Sequence, residues 1–296
     1  MEFRLLQHKE IDKHKWDELI ANAVNARIYA HSWYLDTVCS NSWMAIISDD
    51  YTVGMALPLN KKIPFLTRIA VPPFSQQLGI FYLKKPENPA RILDVIPKQF
   101  RQVVLQCNED NGLLMHPEFN LEAKPNYVLS LDRDISELRK AYAKRLKANL
   151  KNAAKHPMVI RKIPWETFVK YYLTLTDQQI KVDKTFENRL SAVVKGLVDR
   201  NFGHIWAVFH NETMLSTCLL TLFNNRLTYL MARSTAEGKS KNAMHFLLDH
   251  LIEKHAGGKA ILDFEGSSIP GLAHFFKSFG AEKREYALLK RRSFPF

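Results

Sequence analysis

The side chains with the most chemical content lie in the last third of the chain. In Ala260-Ile-Leu-Asp-Phe-Glu265 the carboxylates of Asp263 and Glu265 alternate with Leu262 and Phe264, so an extended backbone puts both on one face. A carboxylate in such a place can take a proton from a nucleophile, or it can serve the turn beyond it by capping the next helix or holding Ser267; both readings stand at this stage. Upstream, Arg233 leads into Ser234-Thr-Ala-Glu-Gly-Lys-Ser-Lys241, and a helix is expected from Asn242. A strand that feeds a glycine-containing loop into a helix start gathers free backbone N–H groups where the helix dipole is positive. Lys239 and Lys241 add full charges. The residues expected at this anion site are Arg233, Gly238, Lys239, Ser240, Lys241, Asn242 and Ala243, a set suited to a pyrophosphate. Tyr229, four residues before Arg233, shares its face of the strand and either lines a cleft or packs as a core aromatic.

A second chemical feature is a run of cations. Lys140, Lys144, Lys147, Lys151 and Lys155 recur at helical spacing, and no acidic residue occurs between Lys140 and Lys162. On one continuous helix from Ile135 to Lys155 they fall within roughly 80° of one another, with Leu138, Tyr142, Leu146 and Ala153 on the buried face. Such a stripe is either solvated surface or a contact for a polyanion. Charge is unequally divided along the chain. Residues 1–140 hold 17 Lys+Arg and 17 Asp+Glu, whereas residues 141–296 hold 25 and 13, so the whole net charge of +12 resides in the second part. That asymmetry points to an anionic partner there.

The elements that must position these groups follow from pattern. Residues 12–23 and 32–39 read as helices, Trp43–Ser48 and Tyr51–Leu59 as a hairpin, and Ile63–Phe74, rich in proline, as an edge or loop. Pro89–Asn108 reads as a helix interrupted at Pro97, and Leu113–Met115 and Tyr127–Leu131 as strands. Asp132 or Asp134 caps the basic helix, which Pro157 closes before the extended Met158–Ile163. Helices over Trp165–Ile180 and Thr185–Asp199 precede a meander: His204–His210, Thr213–Phe223 and Arg226–Arg233, turned at Asn211-Glu212 and Asn224-Asn225. The helix from Asn242 stops at Gly257-Gly258, followed by strand Ala260–Glu265, helix Ile269–Phe279 and strand Glu285–Lys290. The first part of the chain shows a looser version of this order. An α/β (α+β) chain of two tandem domains, 1–131 and 132–296, each a mostly antiparallel mixed sheet flanked by helices, accounts for it.

Composition excludes several classes. Cys39, Cys107 and Cys218 form no Cys-x-x-Cys pair, and the histidines have no metal-ligand spacing, so neither a disulfide framework nor a metal site is expected. Cys218, inside an apolar strand, reads as core, and so do Phe275, Phe276 and Phe279. No segment approaches the apolar length of a membrane helix. Met1-Glu2-Phe3-Arg4 opens without the charged and apolar regions of a secretory signal, so a cytoplasmic location is expected.

The order of elements around Met231–Ala243 resembles the GNAT acyltransferases, whose corresponding loop and helix bind the pyrophosphate of coenzyme A. The spacing departs from the usual Gln/Arg-x-x-Gly-x-Gly/Ala, since four residues separate Arg233 from Gly238. Leu138–Lys155, Ala260–Ser267 and Ile269–Gly280 resemble the basic helix, closing strand and last helix of FemABX-type peptidyltransferases and of FemAB-like (BioF2-like) acetyltransferases. That resemblance implies two tandem GNAT-like domains, the first degenerate. It also implies transfer of an acyl or aminoacyl group to an amine from acyl-CoA or aminoacyl-tRNA, used as substrate rather than as a tightly bound cofactor. Glu265 or Asp263 would then orient or deprotonate the amine, and tRNA or another polyanion becomes a candidate partner for the lysine stripe. No inserted coiled-coil arm is present. A coenzyme A-dependent small-amine acetyltransferase and a non-catalytic polyanion-binding module are the competing readings.

Overall fold

Asp12 starts the first helix as its sequence position suggests, its carboxylate accepting the N–H groups of His14 (3.1 Å) and Lys15 (3.2 Å). The computed structural model describes residues 2–63, 66–175, 183–266 and 270–292. They fall into two units, one of residues 1–125 with 284–296 and one of residues 126–283.

In the first unit, α1 (Lys13–Asn22), α2 (Ser32–Cys39), β2 (Trp43–Ser48) and β3 (Val53–Ile63) follow the expected order, preceded by a strand that the pattern did not announce, β1 (Phe3–Leu6). β4 (Leu66–Ile69), β5 (Ile80–Tyr82), β6 (Gln102–Gln106) and the start of β7 (Asn120–Ser130) complete its run of chain. Pro89–Asn108 is not one helix. A short 3-10 segment covers Pro89–Val95, and Val103-Val104, β-branched and beyond Pro97, join the sheet as β6. Leu113–Met115 carries no strand.

The second unit begins inside β7, whose residues Val128–Ser130 pair antiparallel with β12 (Ile261–Asp263). Its helices and strands, in chain order, are α3 (Ile135–Lys140), α4 (Lys144–Ala153), β8 (Met158–Lys162), α5 (Trp165–Thr174), α6 (Lys184–Asp199), β9 (Gly203–His210), β10 (Thr213–Phe223) and β11 (Arg226–Ser234). α7 (Ala236–Ser240), α8 (Ala243–His255) and α9 (Pro270–Ser278) flank β12 along the chain. β8 to β11 form the antiparallel meander, while β11 and β12 run parallel, Arg226–Thr228 against Ile261–Asp263. The end of the helix expected over Trp165–Ile180 lies outside the described residues. α3, α4, α8 and α9 cover one face, burying Leu138, Tyr142, Leu146, Leu247, Leu251 and Phe279 against Val208, Cys218 and Leu227. Cys218 is a core residue, and burial pushes its thiol well above the usual range. α6 packs close to β9 at Gly203, where a Cβ would lie 2.9 Å from that of Leu197.

The basic helix is broken. α3 stops at Lys140 and α4 starts at Lys144, with Ala143 extended (φ −59°, ψ 149°). Ala143 N–H, which an unbroken helix would give to Arg139, donates instead to Ser278 O at 2.9 Å, and Tyr142 packs edge-on against Phe279 at 5.6 Å. Tertiary partners on and after α9 therefore outweigh a helical pattern that the sequence alone carries through.

The final strand, β13 (Glu282–Arg292), pairs with β6 from Leu288↔Gln106 to Arg292↔Gln102. From residue 284 onward the chain belongs to the first unit, so the division at 131/132 becomes one at 125/126 with the tail returned.

Candidate active site

β11 and β12 part company after Thr228 and Asp263. β12 ends there, whereas β11 continues to Ser234 along β10, with a bulge where Leu219 pairs Met231 and Leu220 pairs Tyr229, leaving Leu230 over. The β12-side edge of β11 beyond Thr228 is thus open, and a cavity of about 1050 Å³ lies there. Tyr229, Leu230, Met231 and Arg233 of β11 line it, with Gly238 and Lys239 of α7, Asn242, and Met244 and His245 of α8. Phe264 and Glu265, beyond β12, Phe275 and Phe276 of α9, and Tyr172 of α5 add further wall.

Asp263 and Glu265 do not share a role. Asp263 is 2% exposed, paired with Arg226 (Nε to Oδ2 3.2 Å), and accepts the N–H of Glu265 at 2.9 Å. Glu265 adopts a left-handed backbone (φ 59°), which ends the strand alternation and sends its side chain to the cavity. Asp263 is thus held in a buried ion pair, and of the two carboxylates Glu265 is the one that lines the cavity.

Arg233 lies over Tyr172, its Cζ 3.9 Å from the ring centroid, and donates from Nη1 to Ala232 O at 3.0 Å. Its Nε is buried without a hydrogen-bond partner. Burial raises the Tyr172 phenol, with the Arg233 charge pulling the other way and Glu265 adding to the rise. Tyr229 is held well above its ordinary value by burial, so it stays protonated; it packs against Phe264 and Phe276 and lines the cleft at once. Burial, then the Arg145 charge, depress His245 to about 4, which keeps it neutral. Asn149 Nδ2–H donates to its Nε2 at 3.1 Å, and its ring contacts Phe275 and Phe279.

The loop expected at Ser234–Lys241 is instead the short helix α7, capped by Thr235, whose Oγ1 accepts Gly238 N–H at 2.9 Å. Lys239, Lys241 and Asn242 donate their N–H groups to Thr235 O, Glu237 O and Lys239 O. The N–H groups from Gly238 to Asn242 are thus spent inside the chain. α8 begins at Asn242 in the left-handed region (φ 57°) without a side-chain cap, and its first rung runs from Phe246 N–H to Asn242 O at 3.1 Å. Those of Ala243, Met244 and His245 precede that rung and form the helix start. Gly238 packs flush on β10: a Cβ there would fall on Leu215 O. Among the expected anion-site residues, Arg233, Gly238, Lys239 and Asn242 line the cavity; the side chains of Ser240 and Lys241 turn to Glu237, and Ala243 is core.

The lysine stripe is not in the cavity wall. Lys140, Lys144, Lys147, Lys151 and Lys155 are exposed, but only Lys144, Lys147 and Lys151 share a helix, and Lys147 Nζ donates to Lys140 O across the break at 2.9 Å. The buried face expected for Leu138, Tyr142, Leu146 and Ala153 is present. Sequence reasoning passed over Tyr172 and His245, which have no motif, and gave Phe275 and Phe276 only a core role although both also reach the cavity.

The sequence matches no protein-family model and no curated protein. The fold matches solved structures. FemX aligns with a TM-score of 0.67 over 97% of this chain and 97% of its own, at 13% identity. L-PGS from Bacillus licheniformis aligns at 0.58 over 95% and 92%, at 12% identity. The C-terminal domain of a putative lysylphosphatidylglycerol synthetase from Agrobacterium fabrum aligns at 0.51 over 95% and 92%, at 9%. The likeness is one of fold: this chain is similar to FemX in architecture along nearly its whole length. No helix among the described residues is long and apolar enough to cross a membrane, and none of their side chains gather as a metal-binding group.

Proposed function

We propose that this chain, with its FemX-like fold, is an N-acyl- or aminoacyltransferase. It would move the acyl group of a phosphate-bearing donor, acyl-CoA or aminoacyl-tRNA, to an amine. The observation that supports this most directly is the opening between β11 and β12, where a bulged strand edge, one carboxylate, one guanidinium and a helix start meet in a single cavity. Phosphates sit with Arg233, Lys239 and the first N–H groups of α8, where charge and dipole act together. The aromatic wall of Tyr229, Phe264, Phe275 and Phe276 keeps water from the acyl carbon. The amine nitrogen attacks that carbon, a C–N bond forms, and the C–S or C–O bond to the donor breaks. Glu265 accepts the proton the amine loses, and the protonated Tyr229 phenol supplies one to the departing sulfur or oxygen.

Calorimetric titration with acetyl-CoA and filter retention of charged tRNA test the reading and choose between donors. One of the two is expected to bind and to lose at least tenfold affinity in Arg233→Ala, since a charged hydrogen bond contributes roughly 1.5–3 kcal/mol. If neither donor binds the folded protein, the reading fails. Binding of acetyl-CoA alone selects the small-amine acetyltransferase form.

A further inference from the structure

Away from the cavity, a basic and aromatic cluster is assembled from β8, β9 and α8. Lys162 of β8 stands beside its register partner Trp206 of β9, with its Nζ 5.2 Å from the indole centroid. Lys254 of α8 places its Nζ 5.1 Å from the same ring, and His250 packs edge-on to it at 6.2 Å. His204, two residues before Trp206 on β9, and His255, next to Lys254, complete the group.

The charges here are of one sign. Apart from burial, His204 is influenced by Lys162 and Lys254, and His255 by Lys254 and His204; no carboxylate acts on either, and both imidazoles are pushed down. The acids of α8 are engaged elsewhere: Asp249 and Glu253 hold Arg139 of α3 at 2.7 and 3.2 Å. Two ammonium groups therefore share one indole without a counter-ion among the described residues. Cation–π attraction holds both to the one ring despite their mutual repulsion, so an approaching anion finds long side chains already placed. Trp206 is half-buried beneath them, which leaves no apolar side chain of the cluster projecting to enter a bilayer, whereas closely spaced phosphates match the paired cations.

We propose that the strip between β8 and α8, floored by Trp206, is a contact surface for single-stranded nucleic acid. Lys162 and Lys254 take neighbouring phosphates, and the imidazole N–H groups of His204 and His250 reach phosphate or sugar oxygens. This surface is separate from the donor cavity, and its test does not depend on the transferase reading.

The test is fluorescence anisotropy of a labelled oligouridylate with the full chain across a salt series. In Lys162→Gln/Lys254→Gln, affinity at low salt is expected to fall about tenfold, and the slope of log K against log salt to shrink by about 1.4, the single-strand value for two phosphates. Lys84→Gln/Lys85→Gln removes the same net charge from exposed sites in the other unit and is expected to leave the slope unchanged. Lys162→Arg/Lys254→Arg keeps both charges and is expected to keep the slope, which holds the test open if the glutamine pair does not fold. Equal losses in the Lys84/Lys85 control, an unchanged slope in the glutamine pair, or a lost slope in the arginine pair would each overturn the proposal. So would Lys162- and Lys254-dependent binding to phosphatidylcholine–phosphatidylglycerol vesicles with none to oligouridylate.

Discussion

At the scale of single residues, two carboxylates two positions apart end in opposite circumstances. Alternation along a strand argued for one shared face, and that argument fails at the residue where the strand stops, because Glu265 turns left-handed while Asp263 remains in the ladder. Only the carboxylate beyond the ladder lines the cavity. Their variants should therefore separate. Glu265→Gln is expected to lower kcat by about 10²–10⁴ with donor affinity intact, as loss of a general base does. Asp263→Ala removes one partner of a buried ion pair with Arg226 and should cost about 3–5 kcal/mol in a denaturant titration. Equal stability losses in the two variants would contradict this division. Nothing in the residues around Glu265 signals its φ, whereas the types and positions of Arg233 and Tyr229 were enough to place both at the cavity.

At the scale of elements, legibility followed local chemistry. The meander β9–β11 was readable almost to the residue because Asn211, Asn224 and Asn225 take the left-handed conformation that asparagine favours in turns. α7 was not. Its five residues are too few for propensity to reveal, and it stands on the Thr235 cap and on Gly238 lying flush against β10. The Gly238 N–H is accordingly taken by Thr235, and the glycine itself packs on β10. Gly238→Val should lower the melting temperature of the second unit, with an overpacking cost of about 1–3 kcal/mol, and circular dichroism melts would show it. A folded, equally stable valine variant would refute the close approach. The α4–α8 contact makes a separate prediction. His245 takes its proton at about 4 in the fold but near 6.5 when unfolded, so between these values the unfolded chain binds more protons. Stability should fall as pH drops from about 6.5 toward 4. The depressed imidazoles of His156, His204 and His255 act in the same direction, so His245→Gln should reduce the fall without abolishing it in urea midpoints taken across that range.

At the scale of the whole molecule, composition revealed the charge step between the two parts of the chain but not where its cations would gather. The lysine stripe was visible because helical spacing advertises it; the Lys162–Trp206–Lys254 cluster was not, because three elements contribute to it. Domain order was hidden for a similar reason. A strand at the end of a chain carries no mark of the sheet it will join. β13 brings Ala287 and Leu289, both fully buried, into a core with Val103 and Leu105, and Ala287 O accepts Cys107 N–H at 2.9 Å. Removing residues 284–296 should therefore damage the sequence-distant first unit more than the unit that directly precedes the cut. Hydrogen exchange read by mass spectrometry is expected to show lost protection in β6 and retained protection in β9, β10 and β11. The physical reason is that β6 loses a strand partner and its core loses two apolar side chains, while the meander keeps every rung of its ladder. If protection instead collapsed first in the meander and survived in β6, the last strand would have to belong to the second unit, as its place in the sequence first suggests.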